Sequence, residues 1–283
     1  MQFYSCRILP ASAVDIPAGL KYTLLQQKRY GTEDTNHEET DPDPDRTCHS
    51  TDPDWYRAGR GKPGRAACKH PACDGSPAWV VNLPAAQDET VTQLFVVAGL
   101  GMDKTTATIS MHQRDDAGNW KQILSTPGFV GLNGLCPDAD HREGCAQTPI
   151  GVYHFNKAFG IAADPGCAIP YIQVDDSTYW SGDPDRQYNQ MVDIRDVPEL
   201  VMDDSEHIVD YEYQYQYCLN ISFNEEGTPG RGSAIFLHCF GPLKPYTGGC
   251  VALPENLMKM VMQTVREDCV VVIDTLENLG GSF

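Results

Sequence analysis

The feature that most restricts the fold of this chain is the brevity and regular spacing of its apolar runs. "TQLFVVAG" at 92–99 is a short run closed by glycine. "TATISMHQ" at 106–113 sets Ala107, Ile109 and Met111 against Thr108, Ser110 and His112, the period-two pattern of a strand with one buried face. "RDDAGN" then supplies a turn before "WKQIL". Further short runs fall at 150–155, 218–223, 233–239 and 269–273, separated by Gly, Pro and Asp. The convincing helical period lies at 254–266: Pro254 suits the first turn, Glu255 favours the N-terminal dipole, and Leu257, Val261 and Val265 recur on one face. The expected fold is mainly β, a meander or sandwich with one packed helix.

At 283 residues and 41% hydrophobic, the chain can bury a sizeable core. No window approaches the eighteen or so consecutive apolar residues of a spanning helix. With 21 basic and 39 acidic side chains the formal charge is −18, which repels a phosphate backbone, so nucleic acid is not an expected partner. The acids and bases are segregated: 31–54 holds nine acids and one base, 57–69 five bases and no acid. Residues 1–80 therefore read as a solvated, loop-rich accessory region, with 81–283 as the main domain. Within the accessory region the aspartates between prolines lack the Gly and Glu of a calcium loop. Cys48, His49, Cys68, His70 and Cys73 lack the paired spacing of a zinc site, so no metal is expected.

Eleven cysteines is an odd count, leaving room for one free catalytic thiol and up to five disulfides. That abundance favours an oxidising compartment. Cys136 and Cys145, which bracket "CPDADHREGC", are the pair expected to be cross-linked. Cys218, Cys239 and Cys269 sit in apolar runs and also suit core filling. The opening "MQFYSCRILP" lacks a basic n-region and an apolar h-region, so either a signal has been removed or there was none; the cysteine usage favours the first, an extracellular or cell-envelope protein.

The chemistry concentrates in "SAIFLHCFGPLKPYTGGCVALPENLMKMVM" at 233–262. A free thiol is only a few per cent thiolate at neutral pH, so a cysteine enzyme lowers that pKa or places a base beside the sulfur. His238 ends a strand-like run, and the Gly- and Pro-rich loop after it allows Cys250 to fold back towards the ring. Gly248 and Gly249 leave amides sterically accessible beside Cys250, a candidate oxyanion hole to which the Thr247 hydroxyl adds. The competing interpretation is a hydrogen-bonded structural histidine and a core cysteine.

Five stretches carry a resemblance: "QTPIGVYHFNKAFG" at 147–160, "YNQMVD" at 188–193, "SEHIVDY" at 205–211, "GSAIFLHC" at 232–239 and "YTGGCVALPENLM" at 246–258. In that order they resemble the L,D-transpeptidase family with the YkuD-type catalytic domain, in the branch whose loop reads like "PTAGC". The resemblance implies that Cys250 attacks a peptidoglycan stem peptide at its third residue, releases D-alanine and passes the acyl group to a second stem as a 3,3 cross-link. It implies His238 as base, oriented by the backbone carbonyl of Cys239, and no metal or organic cofactor. A hydrolase on the same scaffold and a catalytically silent wall-binding protein are the alternatives. The chain departs from the family at Gly248, where a second histidine is usual, and at Ala252, where an arginine is usual. Glu206, His207 and Tyr246 are candidates to compensate by binding substrate. Pro149 and Gly151 suggest a hairpin near the cleft. Oligomeric state is not legible.

Overall fold

The structure, a computed structural model, describes residues 75–242 and 244–282. The accessory region up to residue 74, with its metal candidates at Cys48, His49, Cys68, His70 and Cys73, lies outside the described residues. Two short helical turns, α1 (Ala78–Val81) and α2 (Pro84–Gln87), lead into β1 (Gln93–Gly99), β2 (Thr106–Arg114) and β3 (Trp120–Phe129). There follow β4 (Leu135–Pro137), β5 (Thr148–Gly160), β6 (Tyr171–Gln173), β7 (Thr178–Trp180), β8 (Met191–Asp193) and β9 (Glu206–His207). β10 (Cys218–Ile221), β11 (Phe236–Cys239), β12 (Val251–Leu253), α3 (Glu255–Thr264) and β13 (Cys269–Thr275) complete the order. The fold is mainly β with one packed helix of more than two turns among the described residues, and none of its helices is long and apolar enough to cross a membrane.

β1, β2 and β3 form the meander that their alternation predicts. β13 pairs parallel with β1 and antiparallel with β5, and β5 pairs antiparallel with β10. β10 continues into β11, β11 runs parallel to β12, and β12 meets β3 where Ala252 faces Phe129. Because β10 pairs with both β5 and β11, the sheet closes on itself. One of its faces gathers Phe95, Val97, Ile109, Met111, Leu219, Leu237, Val251, Leu253, Val271 and Ile273. α3 adds Met258, Val261 and Met262 to this core, each worth about 1.5–3 kcal/mol in burial.

The other face is covered in two places, and this changes the reading of β2. Val80, Leu83 and Ala86 of the helical turns pack with Leu94, Val96, Ala98, Trp120 and Val272. Arg114 and the Trp120 indole both donate to the Ala86 carbonyl. Ser110 and His112, expected to face solvent, are therefore buried. The His112 ring is bracketed by the hydroxyls of Ser76 and Ser110, both at 2.8 Å.

Two further expectations are corrected. Residues 148–160 form one continuous strand and not a hairpin, because Pro149 lies in register with Cys136 on β4 while the strand goes on to pair with β13 and β10. Cys136 and Cys145 are not cross-linked: all seven cysteines of the described residues are free. Arg231 with Asp138, and His141 with the carbonyls of Arg231 and Gln147, hold this loop instead.

Candidate active site

The register of β11 and β12 arranges the loop chemistry. Leu237 faces Val251, His238 faces Ala252 and Cys239 faces Leu253. Alternation sends Leu237, Cys239, Val251 and Leu253 into the main core. Phe236 and Cys250 fall on the opposite face, packed with Phe159, Trp180, Tyr215 and Cys218. His238 shares that face, diagonal to Cys250, and Cys218 lies directly across from it on β10. The segment 174–217, including the small sheet β8-β7-β9, covers them.

The Cys250 Sγ–H donates to the Ala234 carbonyl at 3.1 Å, and the sulfur accepts from the Phe236 amide at 3.3 Å. Tyr215 packs beside it in the same buried cluster, and its side chain works to lower the thiol pKa. His238 is not among its partners within the described residues; its ring lies against that of Tyr215, centroids 5.5 Å apart. His238 Nδ1 donates to the Cys239 carbonyl at 2.7 Å, since a carbonyl can only accept, and this leaves the lone pair on Nε2. The Cys239 thiol itself points into the core, towards the Tyr217 carbonyl.

Burial sets the charge state. It pushes the Cys250 thiol far above its ordinary range, with the nearby Glu206 carboxylate adding to the effect. It pulls His238 down to about 4, against the opposing hold of the Cys239 carbonyl. At neutral pH the resting pair is thus a neutral thiol and a neutral imidazole. Burial likewise raises Glu206 to about 7, although its hydrogen bond from Tyr215 works the other way.

The predicted loop residues have separable jobs. Thr247 Oγ1 donates to the Cys250 carbonyl at 2.6 Å and accepts from the Gly249 amide at 3.1 Å, so this amide is engaged within the loop. Gly249 has φ +141°, and a Cβ there would meet the Gln147 carbonyl at 2.9 Å, whereas a Cβ on Gly248 would meet nothing within 4 Å. Glu206 reaches the site through Tyr215. His207, next to it on β9, points elsewhere: its ring stacks on Tyr179, and its nitrogens meet Asp210 and the Asp176 carbonyl, each at 3.0 Å. Tyr246 is half-buried, with the Lys244 ammonium 5.8 Å from its ring.

Sequence reasoning missed four contributors. Tyr215 lies in "YEYQYQYC", where alternating tyrosines lead into the strand that faces His238, and that alternation was the available signal. Thr148 accepts from the Gly131 amide at 2.9 Å and donates to the Gly249 carbonyl at 2.7 Å, tying β5 to the loop that carries Cys250. Ala234 presents its carbonyl to the thiol from a left-handed conformation, φ +55°. Asn189 holds that turn in place. Its Oδ1 accepts from the Ala234 amide and the Trp180 indole, and its Nδ2 donates to the carbonyls of Phe223 and Asn224.

No protein-family model matches this chain, and no curated protein matches it in sequence. Among solved structures it is similar to the helical cell shape determining protein Pgp2 of Campylobacter jejuni, at 13% identity and TM-score 0.35 over 65% of this chain and 48% of that one. It is also similar to the L,D-transpeptidase C442S mutant of Enterococcus faecium, at 13% identity and TM-score 0.29, over 65% and 49% of the two chains. A third is the L,D-transpeptidase of Mycobacterium smegmatis, at 12% identity and TM-score 0.28, over 65% and 59%. The chain spans about half the length of the first two.

Proposed function

We propose that this protein is a cysteine acyltransferase of the cell envelope that acts on peptidoglycan stem peptides, with 81–283 as its catalytic domain and 1–80 as an accessory region. Cys250 Sγ bonds to the carbonyl carbon of the third stem residue and the bond to the terminal D-alanine breaks, leaving a thioester. A side-chain amine of a second stem then takes the acyl group, forming a 3,3 cross-link and freeing the thiol. The thiol proton ends on the leaving D-alanine amine, relayed by His238 Nε2, and a proton of the incoming amine returns to the sulfur through the same nitrogen. The observation that supports this reading is an unbridged cysteine on the same sheet face as a histidine whose Nδ1 is committed to a backbone carbonyl.

The test is incubation with tetrapeptide monomers followed by mass spectrometry. Dimers are expected; tripeptide without dimers makes water the acceptor and the protein a hydrolase on the same scaffold. Cys250→Ala should abolish both products and abolish acylation by a carbapenem. A carbapenem adduct mapped to any other cysteine, or products that persist in Cys250→Ala, would remove the mechanism.

A further inference from the structure

We infer that Tyr215 and Glu206 form a proton-accepting arm for the Cys250 thiol, with Tyr215 relaying the proton and Glu206 holding it. The inference rests on Cys250 being a nucleophile and not on the identity of its substrate.

The geometry is a short chain of three groups. Tyr215 is 3% exposed, its hydroxyl donates to Glu206 Oε2 at 2.7 Å, and its side chain packs with Cys250 in one buried cluster. A tyrosine hydroxyl has one proton and can give it to only one neighbour at a time. While Glu206 is the anion, that proton points at the carboxylate. When the thiol turns its proton from the Ala234 carbonyl to the Tyr215 oxygen and gives it up there, and the Tyr215 proton moves to Glu206 Oε2, the products are a thiolate and a neutral carboxylic acid. One negative charge is present before and after, and no outside reagent is consumed. The thiolate then keeps two donors, the Tyr215 hydroxyl and the Phe236 amide.

The surroundings suit Glu206 to accept. Burial weakens it as an acid, with Glu143 nearby adding to that effect. Tyr211 also hydrogen-bonds its carboxyl and stacks on Tyr215 at 4.4 Å. The other titratable groups facing the arm are Cys218 and His238, both on strands of the closed sheet. His207 turns away and leaves Glu206 as the carboxylate contributed by β9.

The bland alternative is a buried carboxylate that simply repels a thiolate, and it predicts the opposite sign. Full-length protein is treated with iodoacetamide from pH 6 to 9, and alkylation of the Cys250 peptide is followed by mass spectrometry. In the wild-type protein the Cys250 rate should rise through about pH 7 and level off. In Glu206→Gln that inflection should disappear and the rate at pH 8 should fall about tenfold or more. Tyr215→Phe should behave alike, and the double variant should be no slower than either single one. A faster or unchanged rate in Glu206→Gln overturns the arm. Should Glu206→Gln fail to fold, Tyr215→Phe removes a single oxygen and carries the same expectation and the same refutation. A wild-type Cys250 that stays unmodified at every pH overturns both the arm and the nucleophile. Failure on stem peptides alone leaves the arm standing.

Discussion

At Gly249 an added methyl group would be driven against the Gln147 carbonyl in a backbone conformation that L side chains avoid. Gly249→Ala should therefore lose carbapenem acylation by at least about tenfold and unfold at lower denaturant, by about 1–3 kcal/mol. Gly248→Ala should match the wild-type protein within about 0.5 kcal/mol, because its Cβ enters open space. The two glycines are indistinguishable in "TGGC", and only the approach of Gln147 separates them. Glu206 makes a second residue-level prediction. Its carboxyl keeps its proton up to about pH 7 in the folded chain, against an ordinary value of 4.5. The stability this gives is complete below 4.5 and is lost as pH rises through 7. Glu206→Gln should abolish that loss, worth up to about 3 kcal/mol, in denaturation measured at pH 4.5 and 7.5.

The elements differ in how readily their sequences betray them. β1 to β3 were legible because each carries its own alternation and the turns between them are short and polar. α3 was legible from its period, although Met258 and Met262, which pack beside Val261, broaden the stripe that Leu257, Val261 and Val265 suggested. β5 was misread because Pro149 and Gly151 signal a turn locally, while pairing with β4, β13 and β10 overrides that signal. The outward residues of β2 were misread because their cover comes from residues 76–87, distant in sequence. Of the candidate site, Cys250 and His238 stand out in the sequence by residue type and loop; Tyr215 and Thr148 do not, since their contacts exist only once β9, β10 and β5 are in place. Thr148→Val removes the hydroxyl that joins β5 to the loop carrying Cys250, leaving the Gly131 amide and Gly249 carbonyl unpaired. It should cost about 1–3 kcal/mol and slow Cys250 alkylation, with little effect on Cys145. Met258→Ala should cost about 2–5 kcal/mol and leave the site chemistry unchanged in the fraction that remains folded.

For the molecule as a whole, acid is the informative stress. Burial holds His112 and His238 down to about 4, whereas the unfolded chain protonates each near 6.5. The stability they confer is full above pH 6.5 and drains away as pH falls towards 4. Two such groups outweigh the opposite slope of Glu206, so the denaturation midpoint should fall between pH 6.5 and 4. A flat midpoint would place one or both rings in water. The closed ring of strands has a further implication, for the order of assembly. β13, the last strand of the described residues, is wedged between β1 and β5, which are translated long before it. A nascent chain halted before Cys269 leaves both of those edges unpaired and open to other chains. Cys250 is thus made before its fold can be completed, and that completion waits on β13 to leave the ribosome.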